Sequence, residues 1–305
     1  MLPDLDWIAV DWGTSNVRAW AMSASGTVLA EAGSDKGMGK LTPEGFEPAL
    51  LDLIRDWGPV GAGRTLTVIA CGMVGARQGW IEAPYARTPC PATPEGMILA
   101  PTKDPSLRVH IIPGIAQAQP ADVMRGEETQ IAGFLSLNPG WDGVLCLPGT
   151  HTKWVQVSAG EVISFQTFMT GELFATISKE TVLRHTVGTE GWDDAAFAEA
   201  LSDAITKPER LAARLFSLRA EHLLHGLAPA TARARLSGLL IGAELAASRP
   251  YWLGQKIGVI GAGTVARIYV GALAQQSAAA TIANGAAVTL AGLTAAYRRL
   301  KGPRE

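Results

Sequence analysis

Cysteine is scarce in this sequence. Cys71, Cys90 and Cys146 are the only three in 305 residues, and they lie far apart. That excludes a disulfide scaffold and a zinc cluster, which need closely spaced pairs, and makes reduced thiols the simple expectation. An excess of one charge is missing too: 26 basic residues face 28 acidic ones, for a net charge of −2. No basic footprint therefore points to nucleic acid or an anionic membrane. The opening MLPDLDW carries two acids and no long apolar run, so no signal peptide is expected. Charge vanishes between Arg267 and Arg298, a length that could span a bilayer. That stretch is mostly Ala, Gly, Thr and Gln and is broken by Gly271, Asn284, Gly285 and Gly292, which predicts buried helices and a short strand instead. What the chain does have is apolar surface. With 48% hydrophobic and 18% charged residues, it can bury one large core or two ordinary ones and is too apolar for disorder.

The pattern of elements comes next. Trp7–Trp12, Val17–Met22 and Thr27–Ala32 read as strands, separated by the turns Gly13-Thr14-Ser15-Asn16 and Ser23-Ala24-Ser25-Gly26. Connections this short force antiparallel neighbours, so the chain opens with a meander that has Asp11 near the end of its first strand. The same order returns at Val144–Leu147, Lys153–Val157 and Val162–Phe168, with Gly149-Thr150-His151 in the place of Gly13-Thr14-Ser15 about 136 residues earlier. A two-domain duplication follows. Between the meanders, Thr42 is the expected N-cap and Pro43 the first position of a helix. Phe46, Leu50, Leu53, Ile54 and Trp57 would form its inner face. Leu66–Cys71 and Val109–Ile112 predict buried strands, and Met124–Leu137 a helix with Ile131, Phe134 and Leu135 inward. After the second meander come a helix-rich block from Glu172 to Ala247, a strand at Ile257–Ile260, a Gly-rich turn and helices to Arg299. Strands followed by βα alternation indicate an α/β fold with mixed sheets.

Each meander turn offers small residues whose backbone N–H groups can form an anion nest. Two such turns could grip a polyphosphate from both sides. Asp11 beside the first suits Mg2+, which binds through few carboxylates plus water and phosphate. A turn acid that merely bonds local N–H groups explains Asp11 equally well. The repeat has Leu147 at the equivalent place, so only one half would hold the metal.

Three segments carry a resemblance. DWGTSNVRAW resembles the first phosphate motif of the sugar kinase, hexokinase and actin-like ATPase superfamily, LPGTHTKW its second, and VIGAGTVARIY its adenosine motif. More narrowly, DWGTSNVRAW, ACGMVGARQGW, MRGEETQIAG, LPGTHTKW and FMTGELF occur in the order and spacing of the 2-dehydro-3-deoxygalactonokinase family. The resemblance covers nearly the whole chain. It implies two duplicated ribonuclease H-like (actin-like ATPase) domains with a cleft between them. Residues 1–118 would form the sugar-acid and Mg/phosphate side. Residues 119–305 would carry the second phosphate turn and the adenosine side, with the helix at 285–300 packing back on the first half.

The same resemblance implies cytoplasmic transfer of phosphate from ATP, with Mg2+, to the 6-hydroxyl of 2-dehydro-3-deoxy-D-galactonate. The product, 2-dehydro-3-deoxy-6-phosphogalactonate, would enter galactonate catabolism. Gly13, Thr14 and Ser15, then Gly149, Thr150, His151, Thr152 and Lys153, would meet the phosphates. Gly261 and Gly263 would let the backbone approach adenosine, and Asp11 would hold the metal. A carboxylate near the acceptor proton is needed. Glu127 is the first choice and Glu128 the second, although acids at a helix start also serve its dipole. A sugar acid favours a forked cation, so Arg18 and Arg77 are candidates, with Lys36, Gln78, Thr170 and Glu172 for hydroxyls. Two alternatives stand beside this: another sugar-acid kinase or phosphohydrolase of the superfamily, and a non-catalytic ATP- or sugar-binding regulator. Self-association as a homodimer stays open.

Other motifs mislead. No G-x-x-x-x-G-K-[ST] occurs, so there is no P-loop. Gly261-Ala262-Gly263-Thr264-Val265-Ala266 mimics the dinucleotide fingerprint, but that needs an acid about 20 residues on, and no Asp or Glu lies between Glu244 and Glu305. His151 has no acid at triad spacing. Ser15 and Thr150 read as turn hydroxyls rather than nucleophiles, and Cys146 as a small core residue. Arg298, Arg299 and Lys301 read as partners of a helix C-terminus.

Overall fold

Runs of β-branched and aromatic residues build the first strands, β1 (Leu5–Trp12), β2 (Val17–Ser23) and β3 (Val28–Ser34), paired antiparallel with Asp11 opposite Arg18 and Trp12 opposite Val17. A computed structural model of the chain describes residues 2–58, 65–261 and 263–302. The chain divides into two compact units. Unit 1 takes Met1–Trp141, Ser158–Ser164 and Gly285–Glu305, and unit 2 takes Asp142–Val157 and Phe165–Asn284. Among the described residues no helix is long and apolar enough to cross a membrane, and the three cysteines are free and buried.

In unit 1 the meander continues into α1 (Phe46–Ile54), β4 (Leu66–Gly72), β5 (Tyr85–Arg87), β6 (Cys90–Pro91), β7 (Ile98–Leu99), β8 (Leu107–Ile111), β9 (Gly114–Gln117), β10 (Asp122–Met124) and α2 (Glu127–Leu137). The main sheet has the order β3-β2-β1-β4-β8-β7, with β4 parallel to both β1 and β8. Side chains alternate across it, as the pleat requires. Ile8, Val10 and Trp12 pack on one face with Phe46, Leu50 and Trp80. Trp7, Ala9 and Ile69 pack on the other with Leu293 and Tyr297.

Unit 2 repeats the plan. Strands β11 (Gly143–Leu147), β12 (Thr152–Ser158) and β13 (Glu161–Phe168) lead to helices α3 (Thr170–Glu180), α4 (Asp194–Thr206), α5 (Leu211–His225), α6 (Pro229–Ala247) and α7 (Arg249–Trp252). Then come β14 (Ile257–Gly261), α8 (Gly263–Gln275) and β15 (Ala280–Asn284), and the closing helix α9 (Gly285–Lys301) lies in unit 1. The strand order β13-β12-β11-β14-β15 matches β3-β2-β1-β4-β8: a meander, then two parallel strands on its first member. This is the duplicated ribonuclease H-like arrangement.

Two details depart from the sequence expectations. Pro43–Gly45 forms a separate 3-10 turn and the α-helix starts at Phe46; the Thr42 side chain caps no backbone N–H. The Met124 helix begins only at Glu127, because Asp122–Met124 is a strand of the small sheet β10-β9-β5 and Gly126 has φ of +106°. In the compact units, α2 belongs to unit 1 with α9. The reason is backbone contact: a Cβ on Gly133 would lie 1.7 Å from the Val288 carbonyl oxygen, and one on Gly292 1.9 Å from that of Thr129. Ala262 of the Gly-rich turn lies outside the described residues.

Replacing Gly133 with Ala must push α2 and α9 apart, at a cost of about 1–3 kcal/mol or more. Gly271, inside α8, has nothing within 4 Å of an added Cβ, so Gly271→Ala should gain roughly 0.5–1 kcal/mol of helix propensity. Calorimetric melting of the two variants is expected to show opposite shifts, Gly133→Ala downward and Gly271→Ala upward.

Candidate active site

Two glycines bring the chemistry of unit 1 together. Gly72 ends β4 opposite Trp12 with φ of +89°, and Gly126 precedes α2 with φ of +106°. A Cβ on Gly126 would stand 3.2 Å from the Gly72 Cα, and one on Gly72 2.7 Å from the Trp12 carbonyl oxygen. Positive φ and close approach together admit only glycine comfortably. The start of α2, with its two glutamates, is thereby set beside the end of β1.

Asp11 Oδ2 accepts a hydrogen bond from Arg18 Nη2 at 2.8 Å, while Oδ1 lies 3.9 Å from the Cys71 Sγ. Burial pushes the Cys71 thiol up, and the charges of Asp11 and Glu128 push it further. Glu128 is fully buried. Its Oε2 accepts from the Gly126 N–H at 2.6 Å and its Oε1 from the Thr129 hydroxyl at 3.0 Å. Burial raises its carboxyl to about 7, the charge of Glu127 adding to the effect and the hydrogen bonds opposing it. Glu127 is half-buried and its Oε2 accepts from the Arg125 N–H at 3.1 Å. The first turn is braced by a neighbouring loop, since Met38 N–H donates to the Gly13 carbonyl and Gly39 N–H to that of Thr14.

Unit 2 presents the second turn in a different setting. Gly149 and Thr150 are exposed at the end of β11 and line a cavity of about 900 Å3, large enough for a nucleotide. Its other walls are the start of α3 (Thr170, Gly171), the loop with Trp192, the α6 face with Arg233 and Ser237, and the first turns of α8 (Thr264, Tyr269). Gly171 abuts the turn closely, since a Cβ there would lie 2.2 Å from the Gly149 carbonyl oxygen, and Glu172 N–H donates to the Thr150 carbonyl at 2.9 Å. Arg233 donates to the Gly188 carbonyl at 3.2 Å, with its guanidinium carbon 5.2 Å from the Phe174 ring centroid.

The sequence candidates sort accordingly. Asp11, Glu127 and Glu128 gather at one place in unit 1. Gly149, Thr150 and Thr170 share the unit 2 cavity. His151 Nε2 meets Glu172 Oε2 at 2.5 Å, so the histidine has an acid partner that sequence spacing hid, and both side chains stay nearly half exposed. Thr152 is fully buried and bonds the Tyr269 hydroxyl at 2.9 Å, and Lys153 is buried beside it; neither lines the cavity. Gly261 ends β14 next to Pro148, Gly263 opens α8 with φ of +67°, and Thr264 after them reaches the cavity. Among the cations, Arg18 is held by Asp11, Lys36 by Asp52 at 2.9 Å, and Arg77 by Glu82 at 3.6 Å on an exposed loop that also carries Gln78.

Several residues escaped the sequence reading. Trp192 and Arg233 reach the cavity from a loop and a helix that carry no motif. Arg125, inside MRGEE, stacks 4.2 Å over the Tyr85 ring centroid and donates from Nη2 to the Ala83 carbonyl at 2.8 Å, while its buried Nε and Nη1 have no hydrogen-bond partner among the described residues. Among the described residues no group of three His, Cys, Asp or Glu side chains could chelate a metal unaided.

Comparison with known proteins is consistent in one direction. The family model described as 2-keto-3-deoxy-galactonokinase matches residues 11–296. A Rhizobium meliloti protein described as a probable 2-dehydro-3-deoxygalactonokinase is 41% identical over 299 residues, 96% of each chain. The 2-dehydro-3-deoxygalactonokinase of Escherichia coli is 34% identical over 260 residues, 85% of each. A crystal structure of a Sinorhizobium meliloti protein given the same activity in its description superposes with a TM-score of 0.90 at 39% identity, covering 98% of both chains.

Glu128 makes a stability prediction. Its carboxyl sits at about 7 when folded against an ordinary 4.5, so between those values the folded chain holds more protons than the unfolded one. Stability then falls as pH rises through that window. Glu128→Gln removes the penalty, so its melting temperature relative to the parent is expected to climb steadily from pH 5 to pH 7.5. A pH-independent difference would mean that Glu128 is ionised throughout.

Proposed function

The chain belongs to the 2-keto-3-deoxy-galactonokinase family, and we propose the roles through which its residues carry out that family's reaction. It is a phosphotransferase with an alcohol acceptor that phosphorylates 2-dehydro-3-deoxygalactonate. In our reading the accepting oxygen is the terminal 6-hydroxyl and the reaction serves galactonate breakdown in the cytoplasm, where ATP is at hand.

The observation on which we build the roles is the Gly72–Gly126 contact, which brings the start of α2, with Glu127 and Glu128, close to the end of β1, where Asp11 lies. Glu127 is the general base. It is only half-buried, whereas Glu128 is wholly enclosed and engaged with Gly126 and Thr129. Neighbouring helical residues point about 100° apart, so one of the two can face an acceptor hydroxyl while the other supports the helix start.

ATP occupies the unit 2 cavity in this reading. The exposed Gly149-Thr150 turn meets its phosphates, Arg233 adds positive charge, and the α8 end receives the adenosine. The residues present suit Mg2+ as well. Asp11 Oδ2 is taken by Arg18 while Oδ1 has only a distant thiol near it, and one carboxylate suffices when phosphate and water complete the shell. Bound there, Mg2+ would neutralise charge on the transferring phosphoryl group. Gly13, Thr14 and Ser15 lie beside that carboxylate as the second set of phosphate donors. Arg18 serves to aim Asp11, so the sugar-acid carboxylate needs a cation other than this one.

Sugar-acid-dependent ADP release, followed by a coupled assay across a panel of 2-keto-3-deoxy sugar acids, tests the reading. Strong stimulation by the galacto isomer with little basal ATPase is expected, and equal turnover without sugar acid would favour a hydrolase instead. Asp11→Asn should lose most activity while melting normally, since the amide cannot hold a hydrated cation as the carboxylate does; near-normal activity at ordinary Mg2+ would remove Asp11 from the site. Glu127→Gln should lower kcat by about 10²–10⁴-fold with KM for the sugar acid within a few-fold, because only the proton-accepting role is lost. If Glu128→Gln shows that loss and Glu127→Gln does not, the base is Glu128.

A further inference from the structure

Unit 2 contains a carboxylate that the roles above leave unused. Glu244 sits on α6 with 3% of its surface exposed, and a buried carboxyl is tolerated only where hydrogen bonds compensate it. It accepts three hydrogen bonds: from Trp154 Nε1 at 2.8 Å on Oε1, and from the Tyr269 hydroxyl at 2.8 Å and the Thr170 hydroxyl on Oε2. Tyr269 in turn meets the Thr152 hydroxyl at 2.9 Å.

The donors come from three separate elements. Thr170 opens α3, whose next residue, Gly171, presses on the Gly149 carbonyl. Trp154 lies on β12, which leaves the second turn. Tyr269 lies on α8, whose first turns form the far wall of the cavity. Glu244 belongs to α6, the fourth wall: Ser237 and Ile241 line the cavity at seven and three residues before it, and that spacing puts them on the same helix face. Thr170 and Tyr269 touch the cavity, whereas Glu244 and Trp154 do not.

We propose that Glu244 is a positioning residue for nucleotide binding, a single carboxylate that fixes α3, β12 and α8 to α6 around the cavity. The proposal rests on the reading of that cavity as the ATP site. Gln at position 244 has almost the same shape but reverses half of the polarity. The indole N–H can only donate, so the amide oxygen must face Trp154. The amide nitrogen then faces Thr170 and Tyr269, whose hydroxyls lose their acceptor. The core stays filled, but the amide can hold those hydroxyls only by donating to their oxygens, so their hydrogens must turn elsewhere and the start of α3 and the wall of α8 lose the carboxylate that fixed their direction.

Glu244→Gln is tested by calorimetric titration with ADP and by steady-state kinetics on the whole protein. The affinity for ADP is expected to drop, and KM for ATP to rise, by about tenfold, equivalent to ~1.4 kcal/mol for one lost anchor. KM for the sugar acid should stay within about twofold, a split that general unfolding would not produce. ADP affinity within twofold of the parent in a folded Glu244→Gln protein would overturn the proposal. Should that variant fail to fold, Trp154→Phe decides, since it removes one donor to Glu244 without touching the cavity: weaker ADP binding supports the proposal and unchanged binding overturns it. Val265→Trp, at an exposed cavity-lining position, checks the underlying reading. If it leaves ADP binding intact, the cavity is not the nucleotide site and the proposal falls with that reading. If it blocks binding while Glu244→Gln and Trp154→Phe do not weaken it, the positioning role alone is wrong.

Discussion

The meeting of Gly72 and Gly126 is the constraint on which the chemistry of unit 1 depends. Asp11 is fixed by the sheet, and Glu127 by a helix more than a hundred residues later in the chain. The elements that carry them come together where two backbones touch with no side chain between. Both residues also hold φ values that other residues reach only under strain. A helix beginning one residue earlier or later would rotate its first carboxylate by about 100°, so the point where Gly126 stops the backbone from being helical selects which glutamate turns inward.

Buried carboxylates recur in both units, and each supports a different surface. Glu128 sits under the start of α2 and Glu244 under the walls of the unit 2 cavity, each raised by burial to about 7. An apolar residue of similar volume would often cost less stability than a charge that must be desolvated. What the carboxylates supply is direction. Glu244 specifies where three donors point, and Glu128 holds the Gly126 N–H that the helix start would otherwise leave without a partner. Hydrophobic packing has no directional preference of that kind. Such groups are placed where geometry matters more than the last increment of stability.

Much of the fold was legible because both meanders are written in local code. Strand periodicity, short Gly-containing turns and their repetition are properties of neighbouring residues, and they located Asp11, the two turns and the strand-to-helix turn before α8. The start of α2 was misjudged because Met124 extends an apolar pattern that a small-sheet strand and a positive-φ glycine override. Arg233 and Glu244, both on α6, were invisible for another reason. Helix α6 is buried on more than one face, including Ala232, Leu236, Gly238, Leu239, Ile241 and Leu245, so it lacks the one-sided stripe that would have marked the side facing the cavity. The pairing of His151 with Glu172 arises from a tertiary approach, with Gly171 set against Gly149, which sequence spacing does not encode.

The cations carry the last step of the argument. Arg18 and Arg77 were natural candidates for a sugar-acid carboxylate and Lys36 for its hydroxyls, and each is already opposite a carboxylate of the protein. The Lys36 and Arg77 pairs are exposed, where an ion pair contributes at most about 1 kcal/mol, so a ligand could compete for either cation at little expense. Arg18 differs. It is Asp11's cross-strand partner, and its guanidinium carbon lies 5.5 Å from the Trp20 ring centroid. Drawing it away would release the Asp11 carboxylate from its hydrogen-bonded partner. On the proposed roles, a cation that aims Asp11 cannot also be spent on substrate without loosening that aim, so recognition of the sugar acid and orientation of Asp11 would belong to different residues.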